Sequence, residues 1–110
     1  MDNVVSKFLY DILQSIENID TYVGSIKIFD VYNANPMMQD AVERNIAIIG
    51  EAVNQIHKIN ETISISNARK IVGARNRLIH GYDDIDNVEV WNIIVNDLPC
   101  LKSEVLQLLS

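Results

Sequence analysis

The chain has 110 residues and carries nine Lys and Arg against fifteen Asp and Glu, a formal net charge of −6. At 48% hydrophobic and 22% charged it has the composition of an ordinary globular domain, one unit spanning residues 1–110. A single cysteine, Cys100, excludes an internal disulfide and a cysteine metal site, and no run of about 18 apolar residues could span a membrane. Four glycines, two prolines and 6% aromatics favour helices over a β-sandwich. Met1-Asp2-Asn3-Val4 lacks the basic and apolar regions of a signal peptide, so the expected location is cytoplasmic.

Val5, Leu9, Ile12, Ile16, Ile19 and Val23 recur every three or four residues and predict an amphipathic helix from near Asp2 to near Tyr22. Gly24-Ser25 breaks it, and Ser25 is placed to cap a short helix over residues 26–32. Asn35 followed by Pro36 reads as an N-cap and first helical position. The helix so started runs to about Lys58 on Met38, Val42, Ile46, Ile49, Val53 and Ile56. Ile48 and Ala52 widen that stripe, which predicts burial on more than one side. Gly50 in its middle costs about 1 kcal/mol relative to alanine, so its expected benefit is close approach by another helix.

Residues 60–66 read as a loop. A third long helix then starts near Ser66 or Asn67, either of which can cap it, with Ile71, Val72, Ala74, Leu78 and Ile79 as its apolar side and Gly81 as its end. After the acidic loop at 83–86, Asp86 caps a last helix with the stripe Val88, Trp91, Ile94/Val95, Leu98, Leu101, Val105 and Leu108. Pro99 lies inside this pattern and removes a backbone donor, which predicts a kink or a restart with Asp97 as a second cap. The fold expected is all-α, an antiparallel bundle of four main helices plus one short one.

Charge is unevenly placed. No acid occurs between Glu61 and Asp83, so residues 62–82 carry +4 and the remainder −10. Cations concentrated on one element of an acidic chain suit an anionic ligand. Within that segment Arg75-Asn76-Arg77-Leu78-Ile79-His80-Gly81-Tyr82 gathers guanidinium, imidazole and phenol in eight residues. Arg75 and His80 stand five apart, roughly 140° around a helix, whereas Arg77 stands three before His80. Spacing alone gives an arginine and a histidine at a helix end and does not choose the arginine.

Arg75-x4-His80 followed by x-Tyr82 resembles the signature of the HEPN superfamily, and more closely the HepT toxins. The flanks Ile48-Ile49-Gly50-Glu51-Ala52, Val90-Trp91 and Asn96-Asp97-Leu98-Pro99 fit the same family, so the resemblance covers nearly the whole chain. It implies an endoribonuclease toxin, with tRNA a candidate substrate, neutralised by a minimal nucleotidyltransferase antitoxin. It also implies a symmetric homodimer whose motif helices face each other across the two-fold axis. Arg75 and His80 become the catalytic pair, and Tyr82 the residue that accepts AMP from the antitoxin.

Each of these residues also has a plainer reading. A histidine near a helix C-terminus is favoured by the helix dipole, and Arg75 could be a surface residue paired with Asp83 or Asp84. Asn76 could orient Arg75 or contact phosphate, Arg77 remains an alternative arginine, and Glu51 could hold Arg75 or His80. Tyr82 could simply cover the helix end. Asp83, Asp84 and Asp86 lack the glycine and terminal glutamate of a calcium loop, so no metal and no cofactor are expected. The alternative function is a non-catalytic partner of a nucleotidyltransferase.

Overall fold

The computed structural model describes residues 2–80 and 85–110. It is an all-α bundle: α1 (Asn3–Val23), a short α2 (Phe29–Asn33), α3 (Pro36–Ile59), α4 (Ala68–His80), α5 (Asn87–Asn92), a π-helical segment (Ile93–Asp97) and α6 (Leu98–Leu109). The last three elements follow one another directly, so the bundle has four long helical runs and one short helix. Among the described residues no helix is long and apolar enough to cross a membrane.

The central element is α3, which packs against α1 on one side and α4 on the other, while α6 closes on α1. Its stripe behaves as the 3.6-residue repeat requires: Val42, Ile46, Ile49, Val53 and Ile56 are all buried and meet Val5, Leu9, Ile12, Ile16 and Ile19 of α1 in one core. The chain enters α3 through the expected cap, with Asn35 Oδ1 accepting from the Met38 amide at 3.0 Å and Pro36 beside it. Asp86 caps α5 in the same way, accepting from the Glu89 amide at 2.8 Å. Asn45 is the buried polar group of α3, and both its amide nitrogen and its oxygen have partners. Its amide donates to the Ala41 carbonyl, and its oxygen accepts from Asn18 of α1.

Several local expectations are corrected. The short helix begins at Phe29 rather than residue 26, with Ile28 at its cap position and no side-chain cap, so Ser25 does not start it. Its placement is decided by aromatic packing: Tyr32 is buried and both Tyr32 and Phe29 lie against Trp91, ring centroids 5.4 and 5.8 Å away. Burial and the neighbouring Glu43 carboxylate push the Tyr32 phenol up, so it stays neutral. Ile48 is 39% exposed and does not widen the core, although Ala52 does. In the last run Val88 is 64% exposed, while Val90, Ile93 and Ile94 are buried.

The interruption at Pro99 takes a specific form. A proline has no N–H to give back to the preceding turn. The ladder widens instead, with the Leu98 amide reaching the Ile93 carbonyl five residues back. Asp97, at the end of this widened turn, makes no cap hydrogen bond to α6. Its side chain is turned across the bundle to α4.

Candidate active site

Two anchors hold the N-terminal end of α4, and neither is a cap. Asn67 has φ 61°, a left-handed conformation that asparagine tolerates better than most residues, and its amide donates to Asp97 Oδ1 at 3.3 Å. Lys70 lies 2.8 Å from the other oxygen of Asp97, whose carboxylate is buried, so its charge is compensated across the bundle. Ser66 donates its amide and hydroxyl to Glu104 of α6. The side chains expected to cap α4 are therefore spent on tertiary contacts, which fix its start against the π-helical segment and α6.

Midway along, α4 meets α3 at Gly50. A Cβ placed there would run into the Cβ of Arg75 and come within 3.1 Å of the Ile71 carbonyl oxygen. The close approach expected from Gly50 is thus made by the helix that carries the motif, and specifically by Arg75. Glu51, the next residue, has its carboxylate 2.8 Å from an Arg75 terminal nitrogen. The other terminal nitrogen donates to Asn76 Oδ1 at 2.9 Å. Of the alternatives left by the sequence, Glu51 and Asn76 both hold Arg75. A guanidinium has four terminal N–H groups, so fixing it from two sides leaves donors for an anion.

Arg77 goes elsewhere. It leans to the opposite flank of α4 and pairs with Glu89 of α5 at 2.6 Å. Helix geometry separates the two arginines by about 160°, two residues at 100° each. His80 is the last residue of α4 and is exposed. Ile79 beside it is 51% exposed, so it is not part of the core side on which its spacing placed it. Gly81, Tyr82, Asp83 and Asp84 lie outside the described residues, and with them the expected helix end, both readings of Tyr82 and the plainer pairing of Arg75. Among the described residues no three His, Cys, Asp or Glu side chains gather into a cluster.

Arg75 and Ile79 form one wall of a groove of about 460 Å³. Its floor is Arg44, Ala47, Ile48, Glu51 and Ala52 of α3, and its other wall is Lys7, Phe8 and Asp11 of α1. The sequence reading missed this groove. Its signal was present as Arg44-Ile48-Glu51 at i, i+4 and i+7, a second stripe on α3 beside the core one.

This is a helical bundle in which α4 carries a fixed arginine and a histidine, and α3 supplies the arginine's supporting carboxylate. Residues 12–108 match the family described as Ribonuclease HepT-like, and the chain belongs to that family. It is 38% identical over 102 residues to “Putative RNase MJ1380” of Methanocaldococcus jannaschii, covering 92% of this chain and 93% of that one. It is 32% identical to “Putative RNase TTE0752” of Caldanaerobacter subterraneus subsp. tengcongensis, with 94% and 92% covered. With “Probable ribonuclease HepT” of Thermococcus cleftensis it shares 31% identity, with 88% of each chain covered. No solved structure matches it.

Proposed function

We propose that the protein is a metal-independent endoribonuclease and the toxin of a toxin–antitoxin pair. The observation that carries this reading is the Arg75 guanidinium, held by Glu51 and Asn76 on the same helix as His80, in a chain of the HepT-like ribonuclease family. The RNA supplies its own nucleophile. The ribose 2′-oxygen attacks the adjacent phosphorus as one His80 takes its proton, and the bond to the 5′-oxygen breaks as a second imidazole protonates that oxygen. The products are a 2′,3′-cyclic phosphate and a 5′-hydroxyl. Arg75 stabilises the charge that builds on the phosphoryl oxygens, a role in which a pre-positioned fork loses little to reorganisation. Imidazole suits both proton transfers because it titrates near neutrality.

One chain has one motif histidine, and the reaction uses an acid and a base. A two-fold homodimer with the α4 helices facing each other supplies both. Sedimentation at micromolar concentration should give twice the 12.5 kDa chain mass, and a monomer would break the composite site. Control by the antitoxin follows from chemistry at Tyr82. AMP on its phenol adds about one negative charge within the ~8–10 Å over which charge acts at physiological salt, and so repels RNA. Tyr82→Phe should cleave RNA and escape a nucleotidyltransferase supplied with ATP. Equal neutralisation of Tyr82→Phe and the parent would mean inhibition by binding alone.

The test of the activity itself is RNA cleavage in EDTA, with the 5′-hydroxyl and cyclic phosphate ends read on the products. The second reading, a binding partner without catalysis, draws support from the net charge of −6. It predicts no cleavage and no growth arrest on expression.

A further inference from the structure

The groove beside Arg75 contains a cation that the proposed chemistry does not use. Three basic residues line it: Lys7, Arg44 and Arg75. Two of them are ion-paired, Lys7 with Asp11 at 3.1 Å and Arg75 with Glu51 at 2.8 Å. Arg44 is exposed and has no ion-pair partner among the described residues, although Asp40 and Glu43 line the adjoining depression with it. That depression also contains Leu78 and Ile79, so Arg44 stands between the groove and the end of α4 that carries His80.

The antiparallel run of the two helices explains the placement. Gly50 of α3 meets Ile71 and Arg75 of α4. Six residues earlier on α3 is Arg44, level with the last turn of α4, since both helices rise about 1.5 Å per residue in opposite directions. The surface between Arg44 and Arg75 is apolar, formed by Ala47, Ile48, Ile79 and Phe8. The volume, about 460 Å³, falls within the ~300–1,000 Å³ of sites that enclose one small ligand. An apolar floor with a guanidinium at each end fits a nucleobase lying flat and a phosphate at each side of its ribose.

We propose that this groove is a subsite for the nucleotide next to the scissile bond of a single-stranded RNA, with Arg44 binding the flanking phosphate. The inference rests on the ribonuclease reading and adds to it a phosphate contact outside the motif. It places the strand along α3, from Arg75 toward the α4 end of the groove, rather than across the bundle. It also bears on RNA binding by an acidic chain: Arg44 extends the cationic segment 62–82 with a charge that no described carboxylate meets in an ion pair.

The test uses full-length His80→Ala protein, which should hold RNA uncut, and a short fluorescent single-stranded RNA titrated between about 50 and 200 mM salt. Arg44→Ala should weaken binding roughly tenfold at the low end and make the slope of log affinity against log salt shallower by about 0.7, the share of one phosphate contact on a single strand. Arg44→Lys should keep the slope. Lys58→Ala, 14 residues and about 21 Å along α3, removes an equal charge and should leave the slope unchanged. In the cleaving protein Arg44→Ala should raise KM far more than it lowers kcat. Unchanged affinity and slope in Arg44→Ala would overturn the subsite. So would a shift from dimer to monomer on that substitution, which would show a second copy covering the groove. If the His80→Ala protein binds no RNA at any salt, the ribonuclease reading fails and the subsite falls with it.

Discussion

Arg75 and Arg77 lie two residues apart on one helix, both ion-paired at under 3 Å, and yet the fold treats them differently. Arg75 is set against the glycine of the central helix, braced by a carboxylate on one side and an amide on the other, and opens on a groove. Arg77 ties the outer flank of α4 to Glu89 of the short α5. The neighbours, not the residue type, make one arginine a candidate for chemistry and the other a strap. Position relative to α3 is the physical criterion that the spacing of the motif could not supply.

The sharpest way to break this contrast is to remove the proton carrier. His80→Ala should lose roughly 10²–10⁴-fold in cleavage, the usual range for general acid–base help, in a protein that stays folded at the assay temperature. A parallel fall in stability would make it structural.

Gly50→Ala acts on Arg75 without touching it. The added methyl gains up to about 1 kcal/mol in helix propensity but must push α4 off α3, and overpacking of this kind costs about 1–3 kcal/mol. Denaturant unfolding should show a net loss, and cleavage in the folded protein should fall. A more stable, fully active variant would mean that the contact does not position Arg75.

At the other end of α4 the expected effect is confined to stability. Asp97→Ala leaves Lys70 and Asn67 without their partner, and because Lys70 is about half exposed the cost should be nearer 1–2 kcal/mol than the several of a fully buried pair. Activity per folded molecule should change little. A large loss of activity at full stability would instead tie this brace to the chemistry.

The smallest effect is in pH dependence. Desolvation, with the Asp40 charge beside it, holds the Glu43 carboxyl above its usual range. The folded state therefore binds this proton more tightly than the unfolded one, and stability is lost as pH rises from about 4.5 through the raised folded value. Glu43→Gln should flatten that part of the stability curve and stabilise slightly at neutral pH. A steeper loss would reverse the assignment.

Much of the fold was legible because its signals are local. The stripes of α1 and α3, the caps at Asn35 and Asp86, and the break at Pro99 all follow from spacing and backbone chemistry within a few residues. What escaped was decided at long range. Asn67 and Ser66 look like caps, but their partners Asp97 and Glu104 are 30 and 38 residues away. Ile48 and Ile79 follow helical spacing, yet face a groove rather than the core. In the site, the roles of Glu51 and Asn76 toward Arg75 could be named as options from sequence. Arg44 could not, because its significance lies in the groove it lines with α1 and α4 and in having no ion-pair partner among the described residues.

The most direct measurement compares the two arginines in one assay: single-turnover RNA cleavage in EDTA by Arg75→Ala and Arg77→Ala, each at saturating protein. Loss of charge stabilisation at the reacting phosphate should lower the rate of Arg75→Ala by roughly 10²–10³-fold, while Arg77→Ala stays within a few fold of the parent. Equal losses in the two variants, or full activity in Arg75→Ala, would contradict the account.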